Sequence, residues 1–171
     1  MRYVRFRYGW TMALVACLAA AATGLAAQEE GTRNGEWPSY GGDLAHTRYS
    51  PLDEINGDNF NDLEVAWSFN TDNFGPNPEF RLQSTPLMVI GVLYTTAGTR
   101  RAAVALDAAT GEILWFHRYD EGERGAAAPR RLSGRGLTYL DDGGDGKIFY
   151  VTPGYHLIGL NAVTGKRLDD F

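Results

Sequence analysis

Of its 171 residues only one is cysteine, Cys17. No disulfide can therefore form within the chain, and no metal or haem site can be built on a set of thiolates. Lysine occurs only at Lys147 and Lys166, and the formal charge is −5. Removal of residues 1–27, which hold Arg2, Arg5 and Arg7 and no acid, takes it to −8. So acidic a chain, with no basic stripe, is not a nucleic-acid binder. Histidine is limited to His46, His117 and His156. They lack ligand spacing and read as isolated surface or strand residues. Gly134-x-Gly136 has Tyr139 where a dinucleotide fingerprint needs its third glycine. No apolar run reaches the roughly 20 residues that span a bilayer.

What is present begins with residues 1–27, which read as a secretory signal. Three arginines precede an apolar stretch from Trp10 to Ala22, and small residues follow at Gly24-Leu25-Ala26-Ala27. Export to the periplasm follows from this reading. Leu14-Val15-Ala16-Cys17 also resembles a bacterial lipoprotein box, so a lipid anchor through Cys17 stands beside cleavage near Ala26 or Ala27. The apolar residues continue past Cys17, which favours cleavage. Residues 28–35 form a polar leader.

From Glu36 onward glycine and aromatic residues are plentiful, 21 glycines and 12% aromatics in the whole chain, a balance suited to many short strands joined by turns. Residues 63–69 read as a strand with Leu63, Val65 and Trp67 on one face. Residues 86–96 read as two strands turning at Ile90-Gly91, 102–106 as a third and 112–117 as a fourth anchored by Trp115. The turn between the last two is Asp107-Ala108-Ala109-Thr110-Gly111, where the aspartate accepts turn amides and Gly111 takes the positive φ. Four antiparallel strands in succession form one propeller blade.

The pattern recurs. Residues 136–140, 148–152 and 157–160 read as strands, with a hairpin loop at 141–146 and an inter-blade excursion at 119–133. Asn161-Ala162-Val163-Thr164-Gly165 aligns with the first turn, 54 residues on. On this alignment Tyr94 matches Tyr150, Gly98 matches Gly154, and the first copy holds two extra residues near Arg100-Arg101. The expected fold is all-β: a β-propeller with two blades visible, the second short of its last strand. Repeat units bury their faces only against neighbours, so the chain is read as a fragment of a longer protein. Asp141 to Gly146 is not a calcium loop, because Gly143 and Thr152 stand where ligands are needed.

Trp37-Pro38-x-Tyr40-Gly41-Gly42-Asp43, then Arg48-Tyr49-Ser50-Pro51-Leu52-x-x-Ile55-Asn56, then Asn59-Phe60-x-x-Leu63-x-x-Ala66-Trp67 resembles the N-terminal pattern of the pyrroloquinoline-quinone-dependent dehydrogenases. The resemblance covers residues 36–171. It implies an eight-bladed propeller of which 36–171 is the N-terminal part, and a strand around Trp67 that completes the last blade. It implies a periplasmic oxidoreductase that moves a hydride from a sugar or alcohol hydroxyl to the quinone, assisted by calcium, with ubiquinone or a cytochrome c as electron acceptor. The catalytic base and the calcium ligands lie in later blades, so the fragment alone is expected to be inactive.

The family binds the quinone carboxylates through arginine, whose forked donors match them. Arg100 and Arg101 stand between two blade strands where such an arginine is carried; alignment from Thr96 favours Arg100, and alignment from Ala105-Leu106-Asp107 favours Arg101. Gln83 stands where the family often has a glutamate, and its amide can still hydrogen-bond without charge. Arg135, in Ser133-Gly134-Arg135-Gly136, either reaches the central site or pins the excursion. The adjacent cysteine pair of alcohol-oxidising relatives is absent after Leu93-Tyr94, which leans toward a sugar or polyol. A second reading, a non-catalytic propeller lipoprotein that scaffolds outer-membrane protein assembly, fits Cys17 but not the Trp37-to-Trp67 pattern.

Overall fold

The computed structural model describes residues 32–75, 82–130 and 136–171. The signal, the first half of the leader and Arg135 lie outside them. Two antiparallel sheets carry the fold. The first is β1 (Leu87–Val89), β2 (Val92–Ala97), β3 (Ala102–Asp107) and β4 (Ile113–His117), each paired with the next. The second is β5 (Thr138–Leu140), β6 (Lys147–Val151) and β7 (Leu157–Asn161). A short helix, α1 (Gly122–Ala126), lies between them. An isolated bridge from Leu160 to Arg167 starts a fourth strand beside β7. The two expected blades are therefore present.

Local chemistry sets the turns. Ile90 and Gly91 both have positive φ, 48° and 75°, as a two-residue hairpin turn needs to follow the strand twist. The Ile90 amide donates to the Glu36 carboxylate, and Trp37 bridges Met88, so residues 36–37 cover the edge of β1. Asp107 Oδ1 accepts the amides of Ala109 and Thr110, and Asn161 Oδ1 accepts that of Thr164. Gly111 and Gly165 close these turns at φ of 74° and 68°.

Alternation along the strands makes two apolar layers. Tyr94, Ala103 and Ala105 face the second sheet and pack with Ile148, Tyr150 and Leu160. Ala97, Ala102, Val104 and Leu106 face the other way, onto Trp67, Phe69 and Phe74. Leu87, Leu106, Ile148 and Leu160 are almost fully buried, each contributing about 2 kcal/mol of transfer free energy. The first sheet is thus sandwiched as an inner repeat unit is.

Two indoles join the repeats. Trp67 donates through Nε1 to Ala108 O at 3.1 Å, and a Cβ on Gly111 would lie 2.6 Å from its ring. Trp115 donates to Ala162 O at 2.8 Å and covers Gly165 in the same way. The tryptophan before each turn motif lies on that motif's glycine, one copy further along the chain.

The strands correct two details. Residues 63–69 form no ladder with any described strand. Trp67 and Phe69 lie on the first sheet while Leu63 and Val65 are exposed, so side-chain packing and the Trp67 indole hydrogen bond hold the segment. A strand needs a partner's backbone groups, and none is offered here. Register also separates Tyr94 from Tyr150. Val92 pairs with Asp107, and Lys147 pairs with Asn161, the counterpart of Asp107. The first copy therefore holds one extra residue between these strands, not two. Tyr94, opposite Ala105, then matches Phe149, opposite Gly159. A one-residue shift exchanges the faces of a strand, so both tyrosines enter the same layer from opposite sides.

Candidate functional site

The antiparallel register puts the ends of several segments at one end of the two sheets. Residues 82–86 lead into β1, and residues 98–101 connect β2 to β3 at that same end. Gly136 reaches them from the second sheet, where a Cβ on it would lie 3.9 Å from Ser84 Cβ and Thr85 O. Gly98 and Gly75 interlock there too: a Cβ on Gly98 would strike the Phe74 carbonyl at 2.4 Å.

Of the residues expected to bind a cofactor, Gln83 and Arg100 are exposed at this end. Arg101 is not. It is 3% exposed, at a φ of 49°, and its guanidinium turns toward the second sheet. Nη1 donates to the carbonyls of Val151 (3.3 Å) and Thr152 (3.2 Å), and Nη2 donates to the carbonyl of Arg130 at 2.6 Å. Arg135 lies outside the described residues, next to Gly136.

Buried hydroxyls mark the same region. Ser84 Oγ, Thr96 Oγ1 and Thr99 Oγ1 have no hydrogen-bond partner among the described residues. A buried polar group left unpaired costs about 1–3 kcal/mol, so three together ask for a ligand or solvent partner. Hydroxyl, amide and guanidinium donors suit a planar group rich in carbonyl and carboxylate oxygens. The described residues thus fit an acceptor-rich quinone.

A second polar cluster, around Glu121, stands beside this one and carries no signal in the sequence. The Glu121 side chain is 4% exposed. It accepts from the Gly154 amide at 2.8 Å, from His156 Nδ1 at 2.7 Å and from the Thr152 hydroxyl. Arg124 Nε donates to Gly154 O at 2.6 Å, so the excursion holds both backbone groups of Gly154. A Cβ on Gly154 would lie 2.5 Å from Glu121 Oε1, which explains the glycine. Burial acts to raise the Glu121 pKa, but hydrogen bonds from Thr152, His156 and Gly154 outweigh it and hold the carboxyl below its usual range. His156, read as isolated, is tied into this cluster.

His117 is tied as well, with Nδ1 3.0 Å from the Tyr150 hydroxyl. Burial, and then the charge of Arg167, lower its pKa. Burial pushes the Tyr94 phenol up to about 12 and raises that of Tyr150. Among the described residues no three His, Cys, Asp or Glu side chains are placed to hold a metal. Asp141 and Asp142 cap their own hairpin, and Asp142 pairs with Lys147 at 3.1 Å.

The model of the PQQ glucose/ethanol/alcohol dehydrogenase β-propeller domain matches residues 37–171. The chain belongs to this PQQ-dependent dehydrogenase family. It is 38% identical over 148 residues to the dehydrogenase subunit of a quinone alcohol dehydrogenase from Gluconobacter oxydans (strain 621H), covering 84% of this chain and 18% of that protein. It is 34% identical over 170 residues to a 1-butanol dehydrogenase (cytochrome c) from Thauera butanivorans, covering 96% and 22%. A europium-containing methanol dehydrogenase superposes with a TM-score of 0.68 at 28% identity, over 84% of this chain and 23% of that one. The chain spans about a fifth of the length of these relatives. The propeller reading and the family reading both hold.

Proposed function

We propose that the chain forms the first two blades of an exported quinoprotein that oxidises an alcohol hydroxyl. The family match over residues 37–171 carries this reading and favours it over a scaffolding lipoprotein. Pyrroloquinoline quinone, when bound, would supply the acceptor for a hydride from the hydroxyl-bearing carbon. The part of this chain is to hold it: Arg100 on a carboxylate, the Gln83 amide on an edge oxygen, and the Ser84 and Thr96 hydroxyls as further donors. Arg101 belongs to the same end, packed inward, and Arg135 is a further candidate from the sequence. A metal ion would supply polarisation of the reacting oxygens, and among the described residues no His, Cys, Asp or Glu cluster would hold it. Calcium is one candidate, and the europium enzyme points to a lanthanide as another.

Relatives named for alcohols support an alcohol substrate, whereas the missing cysteine pair leans to a sugar or polyol. A cytochrome c is the acceptor that the butanol enzyme suggests. Secretion fits residues 1–27, with Cys17 as the alternative lipid site.

The test is reconstitution of the full-length protein with the quinone and either calcium or a lanthanide, following acceptor reduction by primary alcohols and by glucose. Alcohol-dependent reduction that needs both quinone and metal is the expected result; no quinone binding overturns the proposal. The 171-residue chain alone is expected to bind weakly and turn nothing over.

A further inference from the structure

Arg100 and Arg101 are neighbours in one turn, yet the fold treats them in opposite ways. Arg100 is exposed. The guanidinium of Arg101 spends its donors on three carbonyls from two other segments: Val151 and Thr152 at the end of β6, and Arg130 at the end of the excursion. Its own amide closes the turn by donating to Gly98 O at 3.1 Å. A positive φ at a side chain that long is costly and persists only where the surroundings impose it. A buried cation needs full hydrogen bonding, and the planar fork of arginine is the one side chain that reaches three carbonyls set apart in this way.

We propose that Arg101 is a positioning residue for the cofactor end, acting through the joint it holds rather than by presenting charge to the ligand. By clamping the β6 end and the excursion to the β2–β3 turn, Arg101 fixes the distance from blade one to blade two. Gln83 and Arg100 stand on one side of that joint and Gly136 on the other. This inference rests on the quinone-binding reading above. It makes Arg101 act through its neighbours, since its guanidinium points away from the exposed turn surface and toward β6.

The test uses the full-length protein and its Arg101→Gln, Arg101→Lys and Arg100→Gln variants. Free pyrroloquinoline quinone is titrated at low and high salt, and amide hydrogen exchange is followed at Thr152 and Gly154. Arg101→Gln is expected to weaken quinone binding about tenfold, the scale of a small misplacement of binding groups. It should keep the salt dependence and speed exchange at both amides, with Arg101→Lys recovering part of each. Arg100→Gln should instead flatten the salt dependence, because it removes the exposed charge, and leave exchange unchanged. Unchanged affinity in Arg101→Gln overturns the inference, as does a flattened salt dependence there, which would make Arg101 the ligand contact. If Arg101→Gln does not fold, Arg101→Lys decides on the same readouts. Failure of the unsubstituted protein to bind quinone overturns the functional proposal along with this one, whereas the other failures spare it.

Discussion

Trp115 covers Gly165 so closely that a single added carbon would reach its ring at 2.6 Å, and the same indole donates to Ala162 O. Gly165 also stands at a φ of 68°. Both conditions forbid a side chain. Gly165→Ala is therefore expected to lower stability by about 2 kcal/mol or more, from left-handed strain plus displacement of the indole. The measurement is the urea midpoint of the chain, with Gly91→Ala as a control. Gly91 shares the positive φ, but nothing lies within 4 Å of its Cβ position, so its loss should be the smaller.

Much of this was readable from turn chemistry. Asp107 to Gly111 and Asn161 to Gly165 announce two hairpins, and the strands around them fall where apolar alternation puts them. Four features were not readable, each for a physical reason. The face that Tyr150 takes depends on one residue in a loop whose length does not show in the motif alignment. Whether residues 63–69 form a strand depends on a partner, which is not a local property. The Glu121–His156 pair joins residues 35 apart through a backbone turn, and neither side chain has a spacing that hints at the other. At the cofactor end the residue types were legible, but the split between an exposed Arg100 and a buried Arg101 was not. Alternation fails inside a turn that contains a left-handed residue.

Asp107 and Asn161 perform the same task with different chemistry, each accepting the threonine amide and hydroxyl of its turn. Hydrogen bonds from Thr110 lower the Asp107 pKa. A lowered carboxyl stabilises the fold above its ordinary value of 3.8, and the contribution is lost as pH falls through the folded value. Asp107→Asn is expected to keep the hairpin, as Asn161 does, while removing that acid sensitivity. Asp107→Ala should speed amide exchange at Thr110 at every pH. Faster exchange in the asparagine variant at neutral pH would show that charge, not geometry, holds the turn.

His117 offers a window at higher pH. Burial favours its neutral form, whose Nδ1 lies 3.0 Å from the Tyr150 hydroxyl, and the Arg167 charge opposes protonation further. The Glu121 charge adds to the rise in the Tyr150 pKa. With the folded value below the ordinary 6.5, the contribution is whole above 6.5 and is lost as pH falls through the folded value. The unfolding midpoint of the chain should therefore decline below about pH 6.5, the unperturbed histidine value. His117→Phe should flatten that part of the profile and leave the decline at more acid pH in place. An unchanged profile in His117→Phe would assign the titration elsewhere.

Glu121 governs the acid limb. Burial alone would raise its pKa, yet the Thr152 hydroxyl, His156 and the Gly154 amide together bring it below the ordinary 4.5. The folded state thus keeps the carboxylate charged where the unfolded state has begun to protonate. Its contribution is complete above 4.5 and disappears as pH falls through the folded value. Because Glu121 and Arg124 together hold Gly154, loss of the charge should release the excursion before the sheets unfold. Amide exchange at Gly154 should then accelerate on acidification, ahead of exchange at Ile158 in β7. Glu121→Gln keeps a hydrogen-bond acceptor but no charge. It should show fast exchange at Gly154 already at neutral pH and a flat response to acid. Arg124→Gln should raise exchange without altering its pH dependence, since the guanidinium holds only the Gly154 carbonyl. If Gly154 and Ile158 lose protection at the same pH in the unsubstituted chain, the excursion is part of one cooperative unit with the sheets and the latch has no independent existence.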